Sequence, residues 1–133
     1  MRNYSKAAIA AYIMIIERAL TPLDAWNEAI ASVTENQSAR KKGCPRATFL
    51  ALASSGYLKN VICNQTLERH GALASRAIAA ADLVISHPAA THRYLSETLG
   101  YVDKQGAYDI VIELAKKGFL IQPRRQGITV GIH

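Results

Sequence analysis

Twice in this chain an apolar helical stretch stops at a glycine and goes on as an aromatic residue and a leucine: FLALASSGYL at 49–58 and VIELAKKGFL at 111–120. The two segments overlie without a gap, Leu52 meeting Leu114, Ala53 Ala115, Gly56 Gly118, Tyr57 Phe119 and Leu58 Leu120. A glycine in this position supplies the left-handed residue that ends a helix, so the punctuation confines the chain to helices of moderate length. Pro22 and Pro88 precede the two segments at nearly equal distances. The predicted fold is therefore mainly α, with about six helices as two tri-helical pseudo-repeats, about 4–60 and about 68–133, within a single compact domain over 1–133. The plainer alternative is that any amphipathic helix followed by Gly looks like this.

The pattern between these marks predicts the individual helices. Residues about 4–19 are apolar nearly all round, which predicts a first helix at the centre of the packing. Thr21-Pro22-Leu23-Asp24 combines a capping hydroxyl, Pro at the first helical position and an acid in the first turn, the signature of a helix start. The helix that follows carries Ala25, Trp26, Ala29, Ile30 and Val33, with Trp26 in the core. A linker at about 34–44 leads to a third helix, starting at Pro45 and stopped by Gly56. An Ala-rich fourth helix, roughly 68–86, is expected to pack against the first and to line a homodimer interface. His87 is read as the cap of a fifth helix that runs to Leu99 and Gly100, and a last helix covers about 105–117.

Charge is the other constraint. The 133 residues hold 16 Lys and Arg against 10 Asp and Glu, a net +6, and the acids are unevenly spread. None lies between Glu35 and Glu68, where Arg40, Lys41, Lys42, Arg46 and Lys59 stand, and none follows Glu113, where Lys116, Lys117, Arg124 and Arg125 stand. Such asymmetry points to a polyanionic partner, nucleic acid or a phosphate-bearing ligand, with two solvated basic faces as the alternative. The polyanion-binding residues predicted are Arg40, Lys41, Lys42, Arg46, Lys59, Arg124 and Arg125. Pro45 at a helix start, with Gly43 beside it, would leave first-turn amides free for a phosphate, to which Ser38 or Thr48 adds a hydroxyl. The tail, IQPRRQGITVGIH, reads as a small β-hairpin with arginines at its tip. It is either the wing of a winged helix, with phosphates on the arginines, or a hairpin that covers the core. Asp109 and Glu113 on the last helix oppose the DNA reading.

Catalytic patterns are missing from the sequence. There is no GxGxxG, P-loop, HExxH or GxSxG. His87 and His92 would stand about 140° apart on a helix, which makes them poor metal partners. The two cysteines, Cys44 and Cys63, form neither a disulfide framework nor a zinc spacing. Cys44, at a helix start among cations, is either a reactive thiol or a small apolar turn residue. No catalytic residue, metal or cofactor is expected, and the chain reads as a non-enzymatic binding protein. Its other reading is a protein-interaction or regulatory module. Arg2 and Lys6 before Ala7–Ile16 imitate a signal peptide, but Glu17 and Arg18 end the run, no cleavage pattern follows, and ten residues are too few to cross a bilayer. A cytoplasmic protein with no membrane partner is expected.

TPLDAWNEA, KKGCPRATFLAL and AYDIVIELAKKGFL, in this order and spacing, resemble a family of small uncharacterised bacterial proteins with a domain of unknown function. The likeness covers roughly residues 4–120 and is most specific at Lys42-Gly43-Cys44-Pro45. It implies no activity, cofactor or catalytic residue. Proteins of this kind are typical of mobile gene cassettes, the genetic context expected here.

Overall fold

A computed structural model describes residues 3–34, 43–61, 72–101 and 106–122, and in them the chain is helical. Six helices are present among the described residues: α1 (Asn3–Arg18), α2 (Pro22–Val33), α3 (Gly43–Ser54), α4 (Ala72–Ser86), α5 (His92–Leu99) and α6 (Ala107–Lys116). No strand forms among them, and the tail segment 123–133 expected to hold the hairpin lies outside the described residues.

The local chemistry explains the ends. Thr21 caps α2, its hydroxyl accepting from the Asp24 amide at 3.2 Å, with Pro22 at the first helical position. Thr91 caps α5 in the same way, accepting from the Tyr94 amide at 3.1 Å. The cap is therefore Thr91 and not His87, which opens the turn after α4 by accepting from the Ala90 amide at 2.8 Å and whose ring lies tilted against Tyr94, centroids 5.6 Å apart. Gly56 and Gly118 both take left-handed backbone, with φ 86° and 80°. The following amides reach back in the same way: Tyr57 donates to the Leu52 carbonyl at 3.0 Å and Phe119 to the Leu114 carbonyl at 2.9 Å. Each is the closing hydrogen bond of a Schellman cap.

These two tails then join. Leu58 and Leu120 form an antiparallel bridge, in which Lys59 donates to the Phe119 carbonyl and Ile121 to the Tyr57 carbonyl, each at 2.8 Å. Tyr12 of α1 lies over the junction, stacked on Phe119 with centroids 4.2 Å apart and donating its hydroxyl to the Lys59 carbonyl at 2.6 Å. Burial pushes the Tyr12 phenol above its ordinary pKa. Tyr12→Phe keeps the ring stack and leaves the Lys59 carbonyl without this donor. Thermal unfolding should show a loss of about 1 kcal/mol.

The centre of the packing is α6 rather than α1. It lies against α1, α3, α4 and α5, and its Ile110, Val111 and Leu114 are fully buried. Apolar character all round α1 does not make it central, because its buried stripe is Ala7, Ala8, Ala11 and Tyr12 while Ile13 and Ile16 stay 40% and 44% exposed. The small side chains let α2 and α6 approach closely, and the larger ones are left on the outer face. The Ala-rich α4 lies against α3, α5 and α6, not broadly against α1 as its composition led one to expect. The first helix of each half thus packs on the last helix of the other: α1 on α6, and α4 on α3.

Candidate functional site

Of the seven cations predicted to hold a polyanion, the described residues include two, Arg46 and Lys59; Arg40, Lys41, Lys42, Arg124 and Arg125 lie outside them. Arg46 is half-buried in the first turn of α3, and Lys59 is exposed just beyond the far end of that helix. The helix from 46 to 54 spans about 12 Å, so the two are held apart. The bridge brings together a different group. The Lys59 backbone amide donates to the Phe119 carbonyl, two residues beyond the exposed pair Lys116 and Lys117, so the two acid-free stretches run side by side just past the end of α6. Cations there also offset the negative end of the helix dipole.

The phosphate cradle expected at the start of α3 changes in detail. The helix begins at Gly43, which makes Pro45 its third residue, and the Pro45 ring is buried. A proline inside the first turn removes one of the amides that the cradle would need. Thr48 is 1% exposed and so faces the interior, not an outside anion.

A second arrangement was not singled out by sequence reasoning. Between α1, α5 and α6 lies an open cavity of about 480 Å³. One wall is the face of α6 that carries Asp109, Ile112, Glu113 and Lys116, at the spacing that puts every third and fourth residue on one side of a helix. The opposite wall is the turn 88–91 and the start of α5, where Thr91 and His92 stand. The His92 Nδ1 is 3.4 Å from an Asp109 oxygen, and the His92 ring meets Tyr108 edge-on at 5.3 Å. Lys116 Nζ is 3.8 Å from Glu113 and mostly solvent-exposed, a loose pair. From α1 comes Ser5, 1% exposed, whose hydroxyl is buried without a hydrogen-bond partner. A further cavity of about 430 Å³ shares residues 88–91 with this one and extends over Ser86, His87 and Tyr94.

Chemically the first cavity offers acceptors. Two carboxylates one helical turn apart and a free hydroxyl face one imidazole and one loosely held ammonium. Ser5 and His92 are not hydrogen-bonded to each other, so Ser5, His92 and Asp109 do not form a nucleophile relay. Among the described residues no three His, Cys, Asp or Glu side chains are grouped to hold a metal ion. The signal in the sequence was the spacing of Asp109, Glu113 and Lys116; Ser5 and the 88–92 turn come from elsewhere in the chain and give none.

No described helix is long and apolar enough to cross a membrane. No curated protein and no solved structure matches the chain. A family model does, over residues 1–121, and the chain belongs to that family, the family of unknown function DUF6979.

Proposed function

We propose, for this member of a family of unknown function, that it is a non-enzymatic protein of the cytoplasm that binds a polyanion, nucleic acid in the first place, on the surface where Lys59 meets Lys116 and Lys117. The observation that supports it is the Leu58–Leu120 bridge, which joins the two acid-free stretches at one place. Arg124 and Arg125 follow the bridge in the sequence and in this reading widen the surface, while Arg40, Lys41 and Lys42 lead into the start of α3, the end that carries Arg46. Arg46 stands apart at the other end of α3 and serves the solvated face there. The matched Schellman caps, and the packing of each half's first helix on the last helix of the other, support reading the two halves as copies of one tri-helical unit. The tail at 121–133 is then a wing beside the basic surface, and the bacterial, cassette-borne setting implied by the sequence resemblance belongs to the same reading.

Titration with duplex DNA and with single-stranded RNA at about 50 and 200 mM salt tests this. If three cations each neutralise a phosphate, the affinity for duplex should fall roughly fortyfold across that range. Lys59, Lys116 and Lys117 changed together to Ala should weaken binding at the lower salt without altering the circular dichroism. No binding at the lower salt, or equal binding by the triple variant, overturns it.

A second reading, an interaction module that pairs with another copy of this chain, has one observation in its favour: Ile13 and Ile16 of α1 and Leu23 of α2 are 40–46% exposed. Light scattering with molar-mass readout separates the two, since a strict monomer at tens of micromolar removes the dimer.

A further inference from the structure

We propose that this chain pairs with a second copy of itself by exchanging its two halves, taken as copies of one tri-helical unit: α1–α3 of each copy dock on α4–α6 of the other, through the surface that a single chain closes on itself. The partner is a second copy because that surface is self-complementary. Among the described residues the helix pairs that join the halves are α1 with α6, α3 with α4, and α3 with α6. Interchange the halves, helix for helix, and the first pair becomes the second while the third becomes itself. A contact set with this property is what two copies related by a two-fold axis present to each other, residue i meeting j where j meets i.

The bridge follows the same rule bond by bond. With Leu58 matched to Leu120, Tyr57 corresponds to Phe119 and Lys59 to Ile121. The Lys59 amide donates to the Phe119 carbonyl and the Ile121 amide to the Tyr57 carbonyl, both at 2.8 Å, so the two are one bond seen from either side. The aromatic residues cross in the same sense. Phe119 lies on Tyr12 of α1, and Tyr57 reaches α4, where its hydroxyl donates to Asp82 at 2.7 Å. Each half is also joined within itself: α2 packs on α1 and α3, and α4, α5 and α6 pack on one another. Opening the chain between α3 and α4 therefore separates two units, and their joining contacts are the same whichever chain supplies the partner half. Only the tether favours closure within one chain. A short connection gives an effective concentration on the order of millimolar, so on the order of half the chains should pair on refolding at about 1 mM and on the order of one per cent at about 10 µM.

The full chain, unfolded in urea and dialysed back at those two concentrations, is read by size exclusion with light scattering after dilution to a common low concentration. Dimer should come from the concentrated sample and persist for hours, because release requires both joined surfaces to open together. A covalent lock supplies the second arm. Leu58 and Leu120 are a pair whose flanking amides carry the hydrogen bonds, so their Cα atoms stand about 4.5 Å apart, within the span of a disulfide. With Cys44 and Cys63 changed to Ser, the double variant Leu58→Cys, Leu120→Cys, oxidised as monomer, should give no dimer on refolding at the higher concentration. Oxidising its dimer instead should join two chains, a band of twice the mass on a non-reducing denaturing gel. A dimer through Ile13, Ile16 and Leu23 would ignore the lock and part within seconds of dilution, so the two modes of pairing are told apart. The proposal is overturned if the parent chain yields no dimer at the higher concentration, if that dimer reverts within seconds, or if the locked chain pairs as readily as the unlocked one. The parent measurements decide by themselves should the double variant not fold.

Discussion

Trp26→Ala should lower the unfolding free energy by about 3–5 kcal/mol, a large share of the roughly 5–15 kcal/mol that a domain of this size possesses. Trp26 is 1% exposed on α2, where that helix lies against α1 and α3, and its ring meets Phe49 of α3 with centroids 5.5 Å apart. The neighbourhood sets the upper end of the range. Much of the buried surface of α1 and α2 is alanine: Ala7, Ala8, Ala11, Ala25 and Ala29. Alanine has no side-chain rotamers with which to fill a void, so the cavity left by the indole stays open unless backbone moves. Trp26→Phe is the informative companion. The indole Nε1 is buried without a partner, so phenylalanine removes an unsatisfied donor along with part of the volume, and the loss should be a fraction of that for alanine. Trp26 is the only tryptophan, so urea unfolding of these variants is to be followed by far-ultraviolet circular dichroism rather than fluorescence. Equal losses for Ala and Phe would contradict the account.

Gly106→Ala should cost about 2–3 kcal/mol, more than the same change at Gly100, for which about 1 kcal/mol is expected. Both glycines have left-handed backbone, with φ of 95° and 71°, and both therefore charge a side chain for the conformation. They differ in what the new methyl group would meet. At Gly100 there is open space, whereas at Gly106 a Cβ would stand 3.1 Å from the Cδ2 of Tyr4, on the ring edge that α1 lays over the start of α6. Tyr4 is partly buried, so protein lies against part of the ring that would have to withdraw. Parallel thermal melts of the two variants measure the difference, at roughly 4 °C per kcal/mol for a chain of this length. Equal shifts would show that Tyr4 gives way.

Much of the helix layout could be read from single residues. Thr21-Pro22 starts α2, and Gly56, Gly100 and Gly118 stop their helices, because a cap is a local device whose chemistry lies within four residues. Trp26 in the core followed from its spacing among alanines. What failed was anything that depends on which face meets which partner. The apolar run of α1 fits a central helix and a peripheral one equally well, and the difference lies in Ala7, Ala8 and Ala11 admitting α2 and α6 where Ile13 and Ile16 would not. The sequence leaves His87 as a cap for the next helix, yet the α5 cap is the hydroxyl of Thr91, four residues on. The cavity was invisible for the same reason. Asp109 and Glu113 register in the sequence only as acids that would repel DNA, and they become a site when Ser5 and the 88–92 turn are carried to them from distant parts of the chain. Among the predicted cations, Lys59 is joined through its backbone to the segment that follows Lys116 and Lys117, a bridge that no charge pattern encodes.

The packing of α1 on α6, from opposite ends of the sequence, has a consequence for how the chain is made. On a ribosome the N-terminal segments emerge first and domains fold as units once their parts are available. Here α1, α2 and α3 emerge before α6, which supplies the surface that α1 and α3 bury. The Tyr12 ring likewise waits for Phe119, and the backbone at Leu58 for its bridge to Leu120. The first sixty residues therefore leave the tunnel with apolar faces that nothing yet covers, and closure comes only when nearly the whole chain has been translated. Until that moment the nascent half is open to capture by chaperones, and a message truncated before α6 would yield a product without its centre.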